Sequence, residues 1–160
     1  ITYSDKVHGL LPPSRDKAQI RKVLELLYAQ RTDFAETDFD TLFARVKRTL
    51  GQRSLLVVYT NFESLSAMRR QLPFLQRLAR AHLVATVIFK NTELDALLAL
   101  PDRDTMDVYV KTITSKLIYE KQLIAKELES HGILTILTRP QDLSVSVLNK
   151  YLEIKARALL

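Results

Sequence analysis

The 160-residue chain contains no cysteine, which excludes disulfides, thiol nucleophiles and every thiolate metal site. Its three histidines, His8, His82 and His131, are scattered and cannot supply the usual zinc clusters. Only three glycines occur, Gly9, Gly51 and Gly132, far from one another. A G-x-G-x-x-G turn and a phosphate-cradling P-loop both need several glycines close together, so nucleotide binding by those routes is excluded. Long apolar runs are also missing. Leu83 to Phe89 stops well short of the ~20 apolar residues of a membrane helix. There is no G-x-S-x-G elbow, no internal repeat and no low-complexity stretch.

What is present suits one globular domain spanning residues 1–160, because 47% hydrophobic and 26% charged residues are enough for a single core. Lys and Arg number 24 against 18 Asp and Glu, a net charge of +6, which permits an anionic partner without demanding one. Ile1 to Asp5 reads as the end of a β-branched and aromatic strand entering a turn, with no signal-peptide n-region before it. The expectation is a fragment of a longer protein.

A second short extended piece runs from Lys6 to Leu11 and is broken by Pro12-Pro13, which remove donors and force extended geometry. Ser14 then reads as a helix N-cap with Asp16 in the first turn. Ile20, Val23, Leu24, Leu27 and Tyr28 share one helical face, predicting an amphipathic helix that ends near Gln30. Arg31 to Thr37 reads as a polar loop. Thr37 or Asp38 can cap the next helix, in which Phe39, Leu42, Phe43, Val46 and Leu50 repeat the pattern up to Gly51.

Ser54 to Thr60, His82 to Lys90 and Ile133 to Thr138 are continuously apolar between polar flanks, the signature of strands buried on both faces of a parallel sheet. Between the first two, Leu65, Met68, Leu72, Leu75 and Ala79 line a helix that Pro73 should kink or split. A short helix around Glu93 to Leu100 ends at Pro101. A long one follows, with Met106, Val110, Ile113, Leu117, Ile124 and Leu128 on one stripe and Gly132 at its C-terminal cap. The chain closes on a helix carrying Val147, Leu148, Tyr151, Leu152 and Leu159. This alternation predicts an open, mostly parallel, three-layer α/β fold of the Rossmann-like kind. Ligands of such sheets sit beyond the carboxyl ends of the strands.

Three constellations invite a functional reading. Asn61, Glu63 and Ser64, with Thr32 and Asp33 from the preceding loop, could offer Mg²⁺ the oxygen ligands it prefers. The plainer alternative has Ser64 capping the next helix, Asn61 turning the chain and the loop residues bonding locally. Arg69, Arg70, Arg77 and Arg80 fall on one helix face, suited to an anionic surface or simply solvated. With no exposed aromatics interleaved to stack bases, nucleic acid is disfavoured as the partner. The long helix could serve as a partner-binding element through Tyr109, Tyr119 and Leu123, or these could be ordinary core. No histidine has an evident catalytic partner, so the chain is expected not to be an enzyme. A doubly wound hydrolase stays open only if a preceding segment brings the nucleophile.

Ile1 to Lys6 followed by Leu10-Leu-Pro-Pro-Ser14, the segment Arg53 to Phe62, and Leu72-Pro73 through His82 resemble the bacterial domain of unknown function 58 family, as do Tyr109 to Gly132 and Asn149 to Arg157. Members of that family look like von Willebrand factor A domains and are often encoded beside MoxR-type AAA ATPases. The resemblance implies a truncated von Willebrand A-like fold whose central strand, with its Asp-x-Ser-x-Ser metal motif, would precede Ile1. Thr32 resembles the metal-site threonine, although Gln30 and Arg31 stand where glycines are expected. Asn61 takes the place of an aspartate. No cofactor is therefore expected, Mg²⁺ being implied only for a complete parent protein. Asp5, Thr32, Asn61 and Glu63 are the implied partner-binding residues, and a MoxR-type ATPase is the implied partner. The same resemblance implies a cytoplasmic location, at the inner face of the membrane where a parent protein carries membrane helices. An unpaired strand next to the missing one predicts strand exchange or edge-to-edge dimerisation.

Overall fold

A computed structural model describes residues 1–14, 16–30 and 37–159. The chain divides into two compact units, Ile1–Gln52 and Arg53–Leu160.

In the first unit, β1 (Thr2–Tyr3) and β2 (Val7–Gly9) form an antiparallel hairpin, followed by α1 (Gln19–Tyr28) and α2 (Phe39–Thr49). Helix α1 begins five residues after Ser14, not at it. Ser14 Oγ accepts from Asp16 N–H at 3.1 Å and Asp16 Oδ1 from Ala18 N–H at 3.0 Å, so both residues hold turns ahead of the helix. Of the two candidate caps of α2, Asp38 serves. Its Oδ1 accepts from Asp40 N–H at 2.9 Å, and the Thr41 hydroxyl donates to Oδ2 at 2.7 Å. Phe39, Leu42 and Val46 are buried, as the helical spacing requires. The Phe39 ring meets Tyr3 edge-on, with centroids 5.7 Å apart.

The Thr41 hydroxyl, and after it the backbone N–H groups of Thr41 and Asp40, hold the Asp38 carboxyl below its ordinary range, although burial pushes the other way. A folded pKa below the unfolded one contributes stability above the unfolded value, and that stability is lost as pH falls through the folded value. Asp38→Ala should cost about 1 kcal/mol at neutral pH. The deficit should shrink on acidification below about pH 4, read from chemical denaturation followed by circular dichroism at both pH values.

The second unit contains β3 (Leu55–Tyr59), α3 (Leu65–Ala81), β4 (Leu83–Phe89), α4 (Thr92–Leu98), α5 (Thr105–Ser130), β5 (Leu134–Thr138), a 3₁₀ turn (Pro140–Asp142) and α6 (Leu143–Ala156). The three strands form a parallel sheet in the order β3-β4-β5, with Val57 opposite Ala85 and Val87 opposite Ile136. The expected α/β architecture with a parallel sheet is therefore present. Central β4 is buried from Val84 to Ile88, as its unbroken apolar run predicts.

β3 departs from that expectation. Among the described residues it is a sheet edge, and only Val58 is buried, while Val57 and Tyr59 are 36% and 51% exposed. β5 is the other edge of the sheet yet is largely buried, because α5 and α6 pack against it, so an apolar run is buried only where helices cover the strand. Leu83 N–H donates to Ser54 O at 2.9 Å and Thr60 N–H to Val87 O at 3.1 Å. In a parallel ladder alternate residues bond one neighbour, so Ser54, Leu56, Val58 and Thr60 serve β4. Leu55, Val57 and Tyr59 direct their backbone groups outward.

Two helical expectations also change. Pro73 does not split α3, which runs unbroken from Leu65 to Ala81. Residues 69 and 73 are both exposed, so the Arg69 carbonyl that Pro73 cannot satisfy lies on a flank open to water. In α5 the stripe is only half used. Ile124 and Leu128 are buried, whereas Met106, Val110, Ile113 and Leu117 are exposed, because a 26-residue helix, ~39 Å long, outruns the five- to seven-residue strands it accompanies.

Helix α5 ends as Gly132 predicts. Gly132, at φ +76°, donates to Glu129 O and Ile133 N–H donates to Leu128 O, a Schellman closure. A Cβ here would meet nothing within 4 Å, so Gly132→Ala tests backbone strain alone. It should lower stability by about 1 kcal/mol, measurable as a reduced denaturation midpoint. No helix among the described residues is long and apolar enough to cross a membrane.

Candidate functional site

A cleft of about 480 Å³ opens where β3 and β4 end, with residues of α4, α5 and the 3₁₀ turn around it. It is the crevice position of parallel α/β sheets, and its volume falls within the range of small-ligand sites. Phe89, Leu94, Leu117 and Ile118 supply its apolar lining; Asn61, Glu63, Lys90, Glu93, Asp95 and Lys121 supply its polar groups.

Two consecutive residues of α5 organise the rim. The half-buried Lys121 ammonium donates to Asn61 Oδ1 at 2.6 Å and to the Phe62 carbonyl. Glu120 Oε1 accepts from Leu65 N–H at 2.8 Å, satisfying one of the free donors at the start of α3. Ser64 caps the same helix through Ala67 N–H at 3.2 Å, as the plainer reading of that serine predicts. Burial pushes the Lys121 pKa down, while the carboxylates of Glu120 and Glu63 oppose the shift. Asn91, which sequence reasoning passed over, caps α4 through Glu93 N–H at 2.9 Å.

Asn61 and Glu63 therefore do meet at the cleft. Asp5 belongs to the hairpin unit, where it accepts from the Ser4 hydroxyl at 2.7 Å; that bond, ahead of the nearby Lys6 and His8 charges, outweighs desolvation and holds its carboxyl below the usual range. Thr32 and Asp33 lie outside the described residues. Ser4 Oγ also lies 2.6 Å from His8 Nε2. Its single proton goes to Asp5, so the imidazole is not placed as a base on that hydroxyl.

The arginine face is partly spoken for. Glu127 grips the Arg69 guanidinium through two bonds, at 2.7 and 2.9 Å, holding Arg69 further up and its own carboxyl down. Arg70, Arg77 and Arg80 are exposed along α3. Among the described residues no three His, Asp or Glu side chains group to hold a metal ion.

Lys121 and Glu120 were the residues missed. Their signal was a charged pair interrupting the apolar stripe between Leu117 and Ile124, but its partners lie 55 to 60 residues away, beyond any local pattern. The fold and cleft define a parallel-sheet α/β unit with a crevice at the carboxyl ends of its strands. Comparison with family models, curated proteins and solved structures returned no match.

Proposed function

We propose that this chain is a non-enzymatic protein-interaction module on a von Willebrand A-like fold, working in the cytoplasm with a MoxR-type AAA ATPase and engaging it at the crevice rim formed by Asn61 and Glu63. The observation that carries the reading is the position of these two residues where β3 ends, in the crevice at which parallel α/β sheets meet their ligands. The parallel β3-β4-β5 sheet supports the Rossmann-like α/β character on which that assignment builds. The partner is named from the family resemblance alone.

The test is capture from a host lysate on the immobilised chain, with nuclease and at two salt concentrations. Retention of an AAA ATPase after nuclease and moderate salt is the expected result. Material lost to nuclease or salt would instead favour an anion-binding module on the α3 arginines, whose affinity should fall by roughly one logarithmic unit per tenfold salt for each phosphate neutralised. Engagement of Arg69 by Glu127 weighs against that alternative. Arg77→Glu with Arg80→Glu should leave ATPase capture unchanged. The outward backbone groups of Leu55, Val57 and Tyr59 favour self-association of the isolated chain through β3.

A further inference from the structure

Asn61 stands where the family resemblance would put a carboxylate ligand of a divalent cation, and the residues around it do not fit that ion. Its only side-chain oxygen is neutral and already accepts from the Lys121 ammonium at 2.6 Å. A magnesium ion bound to the same oxygen at ~2.1 Å would lie within about 4.7 Å of that ammonium. Two cations at that separation repel strongly in a half-buried setting.

We infer that the Lys121 ammonium is the resident cation of this site and stands in for the divalent ion. It meets the requirements of a bound cation. Two oxygens, Asn61 Oδ1 and the Phe62 carbonyl, receive its protons, and Glu63 and Glu120 supply the surrounding negative field. The ammonium is tethered through α5, whose preceding residue, Glu120, holds Leu65 N–H. Positions 120 and 121 thus clamp both ends of the loop from Asn61 to Leu65, the loop that forms the crevice rim. A metal ion would organise such a loop only when bound; a lysine organises it permanently. This inference rests on the docking role proposed for the rim, and it makes partner engagement independent of divalent ions.

Thermal unfolding of the full chain tests it, in EDTA and in about 5 mM MgCl₂. The wild-type midpoint should be the same in both; a rise with Mg²⁺ would show binding to the folded state and overturn the inference. Lys121→Met, which keeps the stem but removes the charge, should lower the midpoint by roughly 2–4 °C. An unchanged midpoint would overturn the clamp.

Asn61 is exposed, so Asn61→Ala keeps the test open if Lys121→Met fails to fold; it too should lower the midpoint. The double variant should lose less than the sum of the two, because both remove one bond, and full additivity would count against the pairing. Asn61→Asp is the sharpest case. It should raise the midpoint equally in EDTA and Mg²⁺, whereas a rise confined to Mg²⁺ would restore the metal site. None of these readouts needs a partner. Loss of ATPase capture, with the thermal results as expected, would refute the docking role alone.

Discussion

Val57→Lys should convert the isolated chain from a self-associating species into a monomer at about 10 µM, read by light scattering coupled to size exclusion. Among the described residues, the outward flank of β3 offers three backbone donors and three acceptors from Leu55, Val57 and Tyr59, on a strand with no charged residue and no proline. Such an edge is a template for another strand, and a lysine placed on it is a device by which natural sheets prevent pairing. Two copies can meet there antiparallel about a two-fold axis, each satisfying the other's groups. Val57 is 36% exposed, so the substitution should change the fold's own stability by less than about 1 kcal/mol. A wild-type chain that is already a monodisperse monomer at that concentration would refute the edge pairing.

Ile88→Ala should produce the largest loss of stability, about 2–5 kcal/mol. Ile88 has no exposed surface, and its strand is hydrogen-bonded on both sides. A sheet centre cannot collapse around a deleted side chain, because moving the backbone would break two ladders at once. Against a total of about 5–15 kcal/mol for a typical domain, the variant should be partly unfolded near physiological temperature. Met106→Ala is the matching control. Met106 is 64% exposed on the front of α5 and should cost no more than about 0.5 kcal/mol, although its place on the apolar stripe makes it look like core. Urea denaturation of the two variants beside the wild type separates these outcomes. Similar losses would mean that the front of α5 is covered in solution.

The contrast between Ile88 and Met106 shows how far the sequence could be read. Periodicity locates helices and strands because it depends on neighbours three, four or two residues away. Asp38 and Ser64 cap their helices as their residue types predict, and Gly132 ends α5 because only a residue without Cβ takes its φ cheaply. These are local matters. Burial is not, since an apolar stripe records which face could be covered, while the length of the neighbouring elements decides how much of it is. That is why the apolar stripe of α5 is buried at Ile124 and Leu128 but exposed from Met106 to Leu117, and why β3, with the same apolar signature as β4, is only partly covered.

The candidate site divides along the same line. Asn61 and Glu63 were legible because they follow a predicted strand, and the carboxyl ends of parallel strands converge on one side of a sheet. Lys121 and Glu120 were not, since nothing within a few residues of either indicates that Asn61, Phe62 and Leu65 lie within hydrogen-bond reach. The sequence by itself determined the order of the elements, the parallel α/β class and the exclusion of thiol, zinc-cluster and P-loop chemistry, because composition and short-range spacing suffice for these. Only the tertiary structure decided which apolar faces are covered and that a lysine ammonium occupies the loop after β3, because contacts across some 60 residues of chain depend on packing in three dimensions.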